Sequence, residues 1–187
     1  LVERLGNGFP EAKYIDISGL LSADDFYYTD SHWRQERILM VADEIADKMG
    51  AKRIGQCEKH DTGVSFYGVY YGQSALPHAP EPLRYLDNAV IRDLKVYNAE
   101  IKSEIPVYDL KAAGGRDPYE MFLGGAHSII TITNPNVVRE RRLVIFRDSF
   151  GSSIAPLLAA GYSEITLVDI RYISPSALSK LVDFSGV

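Results

Sequence analysis

Two short apolar runs, joined by one short helix, constrain this chain more than any other feature. Leu143-Val144-Ile145-Phe146 carries no polar side chain, the pattern of a strand buried on both faces. Ile165-Thr166-Leu167-Val168 follows as a second strand. Between them Ser152 to Ala160 reads as a helix, with Pro156 near its first turn and Gly161 as its stop. A strand, a helix and a strand this close make a βαβ unit, with parallel strands and a right-handed crossover. Ser174-Pro175-Ser176 has the chemistry of a helix start, with Ser174 as cap, Pro175 as first position and the helix running through Val182. The fold class is therefore α/β with a parallel sheet.

Upstream, Tyr14-Ile15-Asp16-Ile17 reads as a short buried strand, and Leu20 to Phe26 as a loop or single helical turn. From Trp33 to Met49 the pattern is helical. Ile38, Val41, Ala42, Ile45, Ala46 and Met49 recur at helical spacing, and Gly50 supplies the stop. Asp30 or Ser31 stands where an N-cap belongs. From about Gly55 to Asn136 tyrosines cluster, Gly and Pro punctuate often, and β-rich runs appear at Val64 to Tyr71, Ala89 to Tyr97 and Ile129 to Thr133. The expected organisation is an α/β core from residues 1–54 and 137–187, interrupted by a β-rich, Tyr-rich insertion at 55–136.

The 187 residues suit one domain, or one domain with a sizeable insertion. A net charge of -5, with no Lys/Arg stripe, argues against a nucleic-acid partner. Cys57 is the only cysteine, so no intrachain disulfide forms. No apolar stretch is long enough to span a membrane, and Leu1-Val2-Glu3-Arg4 does not begin a signal peptide. Cys57-Glu58-Lys59-His60-Asp61 holds metal-ligand side chains but lacks a second pair nearby, so no metal or cofactor is expected. His78 and His127 sit in loop-like sequence as exposed or packing residues.

Chemistry concentrates in two segments. Thr29-Asp30-Ser31-His32-Trp33 offers a carboxylate and an imidazole two residues apart. Phe146-Arg147-Asp148-Ser149-Phe150-Gly151 offers a serine where a strand turns into a helix. Ser149 lies past the carboxyl end of its strand, where open α/β sheets bind ligands. A serine hydroxyl needs a base within reach, and His32 could serve, steadied by Asp30. Backbone N–H groups near Ser149, Phe150 and Gly151 would meet a developing oxyanion. Taken alone, however, Asp148, Ser149, Asp30 and Ser31 are ordinary helix caps, and Trp33 is core.

These segments resemble the signature motifs of bacterial DHHW proteins, relatives of the SGNH-hydrolase-like acyltransferases typified by alginate O-acetylation proteins. Tyr27-Tyr28, Tyr119-Glu120-Met121-Phe122-Leu123-Gly124-Gly125 and Leu167-Val168-Asp169-Ile170-Arg171-Tyr172 extend the likeness from about Tyr14 to Tyr172. Ser31 stands where the DHHW pattern has His, and Arg34 replaces a small polar residue. The resemblance implies an SGNH-hydrolase-like, flavodoxin-like three-layer fold at the bacterial cell envelope, outside the cytoplasm. It implies a triad of Asp30, His32 and Ser149. It also implies weaker substrate or oxyanion roles for Arg171, Tyr172, Gly124 and Gly125. Family members are longer and carry an N-terminal anchor. The chain therefore corresponds to the C-terminal half of such a protein, with three parallel strands and a sheet edge or face left to be completed. Any membrane anchor would lie in the part before Leu1.

Two functions follow from different classes. One is a serine-dependent acyl esterase or O-acetyltransferase acting on a cell-envelope polysaccharide, with a carbohydrate or acyl-sugar as partner. The other is a non-catalytic glycan-binding or assembly module on the same scaffold. The distance between Ser149 and His32 separates them.

Overall fold

The structure is a computed structural model that describes residues 11–74 and 77–187. Leu1 to Arg4, which do not read as the start of a signal peptide, lie outside the described residues. In chain order the elements are α1 (Leu39–Lys48), β1 (Glu58–Phe66), α2 (Val69–Ser74), β2 (Glu81–Asp87), α3 (Ala89–Asp93) and β3 (Lys95–Asn98). There follow β4 (Ser103–Ile105), β5 (Ile129–Thr133), β6 (Arg142–Phe146), α4 (Ser149–Leu158), β7 (Glu164–Val168) and α5 (Pro175–Leu181).

The fold is mixed α/β with two sheets among the described residues. The larger has five strands in the order β4-β3-β5-β7-β6. β6 and β7 pair in parallel and are joined through α4, as their apolar runs require. The other neighbours in this sheet pair antiparallel. β7 lies between β5 and β6, and its Ile165 and Leu167 are fully buried on one face and Val168 on the other. β-branched residues dominate β5 and β7 and fill these pleated, covered positions well.

α1 and α4 cover one face. Ile38, Val41, Ala42, Ile154, Leu157 and Leu158 pack there with Ile130, Ile132, Ile165 and Leu167. Each such Ile or Leu contributes roughly 1.5–3 kcal/mol by leaving water. Val182 and Leu178 cover part of the opposite face, over Ile129 and Val168. No helix among the described residues is long and apolar enough to cross a membrane.

Several expectations are corrected. Residues 55–136 do not form an insertion apart from the core. β3, β4 and β5 join the main sheet because Val96, Ile130 and Ile132 share one core with Ile165 and Leu167. Among the described residues, only β1 and β2 make a sheet of their own. Tyr14 to Ile17 is not a strand: Asp16 turns back to accept the Ser18 N–H and hydroxyl, and Tyr14 is exposed. The main sheet is thus neither three-stranded nor all parallel.

β6 is an edge strand, so its side chains are half-buried and Phe146 is exposed. Ala89 to Tyr97 splits into α3 and β3, because the Asn88 side chain caps a helix by accepting the Ile91 N–H. Val64 to Tyr71 likewise splits at Gly68, between β1 and α2. The helix expected from Trp33 starts only at Leu39, after a 3-10 turn at Gln35–Arg37. The residues before it fold as a narrow loop.

Candidate active site

That loop is the first half of the site. Phe26 and Trp33 form an isolated antiparallel bridge, and the Tyr27 N–H donates to the His32 carbonyl at 3.1 Å. At its tip Asp30 does not cap a helix. Its Oδ1 accepts the His32 N–H at 2.9 Å and lies 2.5 Å from His32 Nδ1. This local turn lets a carboxylate and an imidazole two residues apart face one another. His32 Nε2 lies 2.7 Å from Ser149 Oγ. An ionised Asp30 only accepts, so the ring proton sits on Nδ1 and Nε2 accepts from the serine hydroxyl. Burial pushes the Asp30 carboxyl up, but hydrogen bonds from the His32 ring, the His32 N–H and the Val69 N–H hold it below its ordinary value.

The β1–β2 hairpin clamps the loop. Glu81, at the start of β2, is 4% exposed and accepts the N–H groups of Tyr28 and Thr29, the Thr29 hydroxyl and the Arg34 guanidinium. Burial raises the Glu81 carboxyl, and these donors bring it below its usual value. Between β1 and α2, Gly68 donates to Thr29 Oγ1 and Val69 to Asp30 Oδ2, and the Tyr70 N–H donates to the Thr29 carbonyl.

Ser149 is the first residue of α4 and not its cap. Asp148 is the cap, accepting the Phe150 N–H at 3.0 Å. The hydroxyl of Ser149 is therefore left for His32. Below it, Ser153 Oγ accepts from Trp33 Nε1 and the Tyr119 hydroxyl, each at 2.8 Å, and donates to the Phe150 carbonyl. The buried Tyr119 ring stacks on His32 at 4.0 Å and 16°. Gln35 donates to the Ser153 carbonyl and accepts the Leu86 N–H. The loop, α4 and the hairpin are thus tied to one another under the imidazole. A cavity of about 70 Å³ opens beside Ser149, bordered also by His32, Asp117, Tyr119, Gly125 and Ser152.

The other residues expected here fare differently. The Phe150 N–H is held by the Asp148 carboxylate and the Gly151 N–H by the Asp148 carbonyl, so neither is free to meet an oxyanion. Helix capping has claimed both donors. Gly151 serves close packing, since a Cβ there would lie 2.5 Å from Arg147 Cβ. Gly125 borders the cavity, but its N–H donates to the Phe122 carbonyl. Gly124 lies near His127, and both glycines hold positive φ, as a tight turn requires. Arg171 pairs with Asp169 through two bonds of 2.8 and 2.6 Å and lies over the exposed Tyr172 ring, and neither residue borders the Ser149 cavity.

Sequence reasoning missed Glu81, Gly68 and Tyr119 as parts of the site. It also missed Arg147, which is buried and donates to Ser152 Oγ and to the Gly125 and His127 carbonyls. Burial lowers the Arg147 pKa, opposed by nearby Asp169. The Tyr119 to Gly125 motif was a signal for the ring and the turn. A lone Glu before Pro82 carried none.

The sequence matches no protein-family model and no curated protein. Solved structures do resemble it. A DHHW family protein from Eubacterium siraeum superposes with a TM-score of 0.74 and 20% identity, over 96% of this chain and 64% of that one. Bacillus cereus PatB1 with a sulfonyl adduct superposes with a TM-score of 0.64 and 18% identity, over 84% of this chain and 57% of PatB1. A second PatB1 structure gives 0.58 and 18%, over 81% and 56%. The chain thus spans a little under two thirds of the DHHW protein and just over half of PatB1. In fold, this chain is similar over nearly its whole length to a DHHW family protein.

Proposed function

We propose that this chain carries the catalytic centre of a serine-dependent acyl esterase or O-acetyltransferase. It would act on a polysaccharide of the bacterial cell envelope, on an SGNH-hydrolase-like scaffold. The observation that supports this most is the unbroken hydrogen-bonded row Asp30–His32–Ser149, with distances of 2.5 and 2.7 Å, beside an open cavity. Chance helix caps have no reason to meet in that order and geometry.

In the first step Ser149 Oγ attacks an acyl carbonyl carbon. His32 Nε2 takes the hydroxyl proton, and Asp30 stabilises the imidazolium through Nδ1–H. The carbonyl π electrons move to oxygen. At the start of α4 the Ser149 N–H makes no hydrogen bond among the described residues, which leaves it to stabilise that oxyanion, aided by the helix dipole. Collapse breaks the ester C–O bond, and the departing alkoxide takes from His32 the proton that came from Ser149. In the second step water or a sugar hydroxyl, deprotonated by His32, attacks the acyl-enzyme; the acyl–Oγ bond of Ser149 then breaks and the serine oxygen takes the proton from His32. The cavity of about 70 Å³ has room for roughly two waters, the scale of an acetyl group. Sulfonylating reagents cap activated hydroxyls, so the sulfonyl adduct of the similar PatB1 structure fits a nucleophile of this kind.

Hydrolysis of a chromogenic acetyl ester by wild type and Ser149→Ala tests the proposal. The variant is expected to lose roughly ten-thousandfold in kcat/KM. Equal rates would remove Ser149 from the chemistry and leave the non-catalytic module.

A further inference from the structure

Beside the Ser149 cavity runs a wider groove of about 580 Å³. Asp117 and Glu120 border both, so the two share that wall. The groove is also bordered by Asp30, by Tyr67 just before α2, by Val69 and Tyr71 of α2, and by Arg116. Apart from Asp30, none of these side chains takes part in the hydrogen-bonded row. Tyr67 and Tyr71 are 42% and 37% exposed, with ring centroids 4.6 Å apart and planes tilted by 49°. Water-facing aromatic rings next to a reaction centre, set at an angle to one another, make a platform for something with apolar faces and polar rims.

We propose that this groove is the subsite for the polymer end of the substrate, and that it takes a neutral glycan and not a uronic-acid one. The identification rests on the acyl-transfer reading above, which places the reacting ester at Ser149. Sugar rings present C–H faces to Tyr67 and Tyr71. Their hydroxyls donate to the carboxylates of Asp117 and Glu120 and accept from Arg116. Asp117 and Glu120 outnumber Arg116 at the wall, and all three are exposed. A chain bearing a carboxylate on every ring would be repelled there, while a neutral chain bears no such cost. Because this wall also borders the Ser149 cavity, one ring can lie on the tyrosines while its neighbour offers a hydroxyl or acyl ester to the serine.

Calorimetric titration of the whole chain with neutral tetrasaccharides of glucose, mannose and N-acetylglucosamine, and with tetragalacturonate, tests this. At least one neutral tetramer is expected to bind, and tetragalacturonate is not. Tyr67→Ala and Tyr71→Ala are expected to weaken that binding about tenfold, with Tyr67→Phe close to wild type and thermal unfolding unchanged in each. Ser149→Ala is expected to bind as wild type does. Absence of binding by every neutral tetramer, tighter binding of tetragalacturonate, or full affinity in both alanine variants would overturn the proposal. Wild-type ester hydrolysis by Ser149→Ala would defeat the acyl-transfer reading but leave these binding outcomes standing.

Discussion

Gly68 lies so close to Asp30 that a Cβ added to it would sit 2.3 Å from Asp30 Cβ and 2.3 Å from the Thr29 carbonyl oxygen. Both neighbours are firmly held, Asp30 by His32 and Val69 and the Thr29 carbonyl by the Tyr70 N–H. Gly68→Ala must therefore shift the hairpin away from the loop and turn Asp30 out of line with His32. An ångström of misalignment costs about a hundredfold in such chemistry. The expected outcome is a drop of that order in kcat for acetyl-ester hydrolysis, with the far-ultraviolet circular dichroism spectrum retained.

Glu81→Gln leaves the donors of Tyr28, Thr29 and Arg34 facing an amide that cannot satisfy them all. Breaking a buried ion pair from one side costs about 3 kcal/mol. The folded-state carboxyl is held below its ordinary value, so its contribution is fully present above the unfolded carboxyl pKa and is lost as pH falls through the folded one. Urea unfolding should show the wild-type advantage constant near neutral pH and shrinking below the ordinary carboxylate range.

Tyr119 separates two roles in one side chain. Its ring stacks on His32, and its hydroxyl donates to Ser153. Tyr119→Phe keeps the ring and loses the hydroxyl's contacts with Ser153 Oγ and the Trp33 carbonyl, together worth about 1–2 kcal/mol of stability. Tyr119→Leu also loses the stack. The expectation is a kcat near wild type for Phe and a clearly lower kcat for Leu, with the pH profile of kcat/KM displaced only in Leu.

Asp148 caps α4 through the Phe150 N–H. Asp148→Ala should cost about 1 kcal/mol, read as a lower thermal midpoint, and Asp148→Asn should recover most of it.

The parts legible in the sequence are those that are local. Ile129 to Thr133 forms β5 as its β-branched composition indicates, and the apolar runs at Leu143 and Ile165 pair in parallel around α4. Ser149, His32 and Asp30 stood out because strand-end and Asp-x-His patterns are short. What escaped depends on distant partners. Glu81 has meaning only against Thr29 and Arg34, and nothing in Glu81-Pro82 announces them. The Asn88 cap turned the first half of an apparent strand into α3. Capping by Asp148 used up the Phe150 and Gly151 donors that the helix start offered to an oxyanion. The β-rich middle joins the main sheet because Val96 needs the same buried layer as Ile132 and Ile165, a requirement of packing and not of pattern.

The central claim is that Ser149 is an activated nucleophile, and covalent labelling tests it most directly. Treatment with a sulfonyl fluoride, followed by peptide mapping by mass spectrometry, should place one sulfonyl group on Ser149. The label should be lost in Ser149→Ala and formed far more slowly in His32→Ala, whose Nε2 accepts the serine proton in the wild type. An unmodified Ser149 in the folded wild type, or equal labelling without His32, would contradict it.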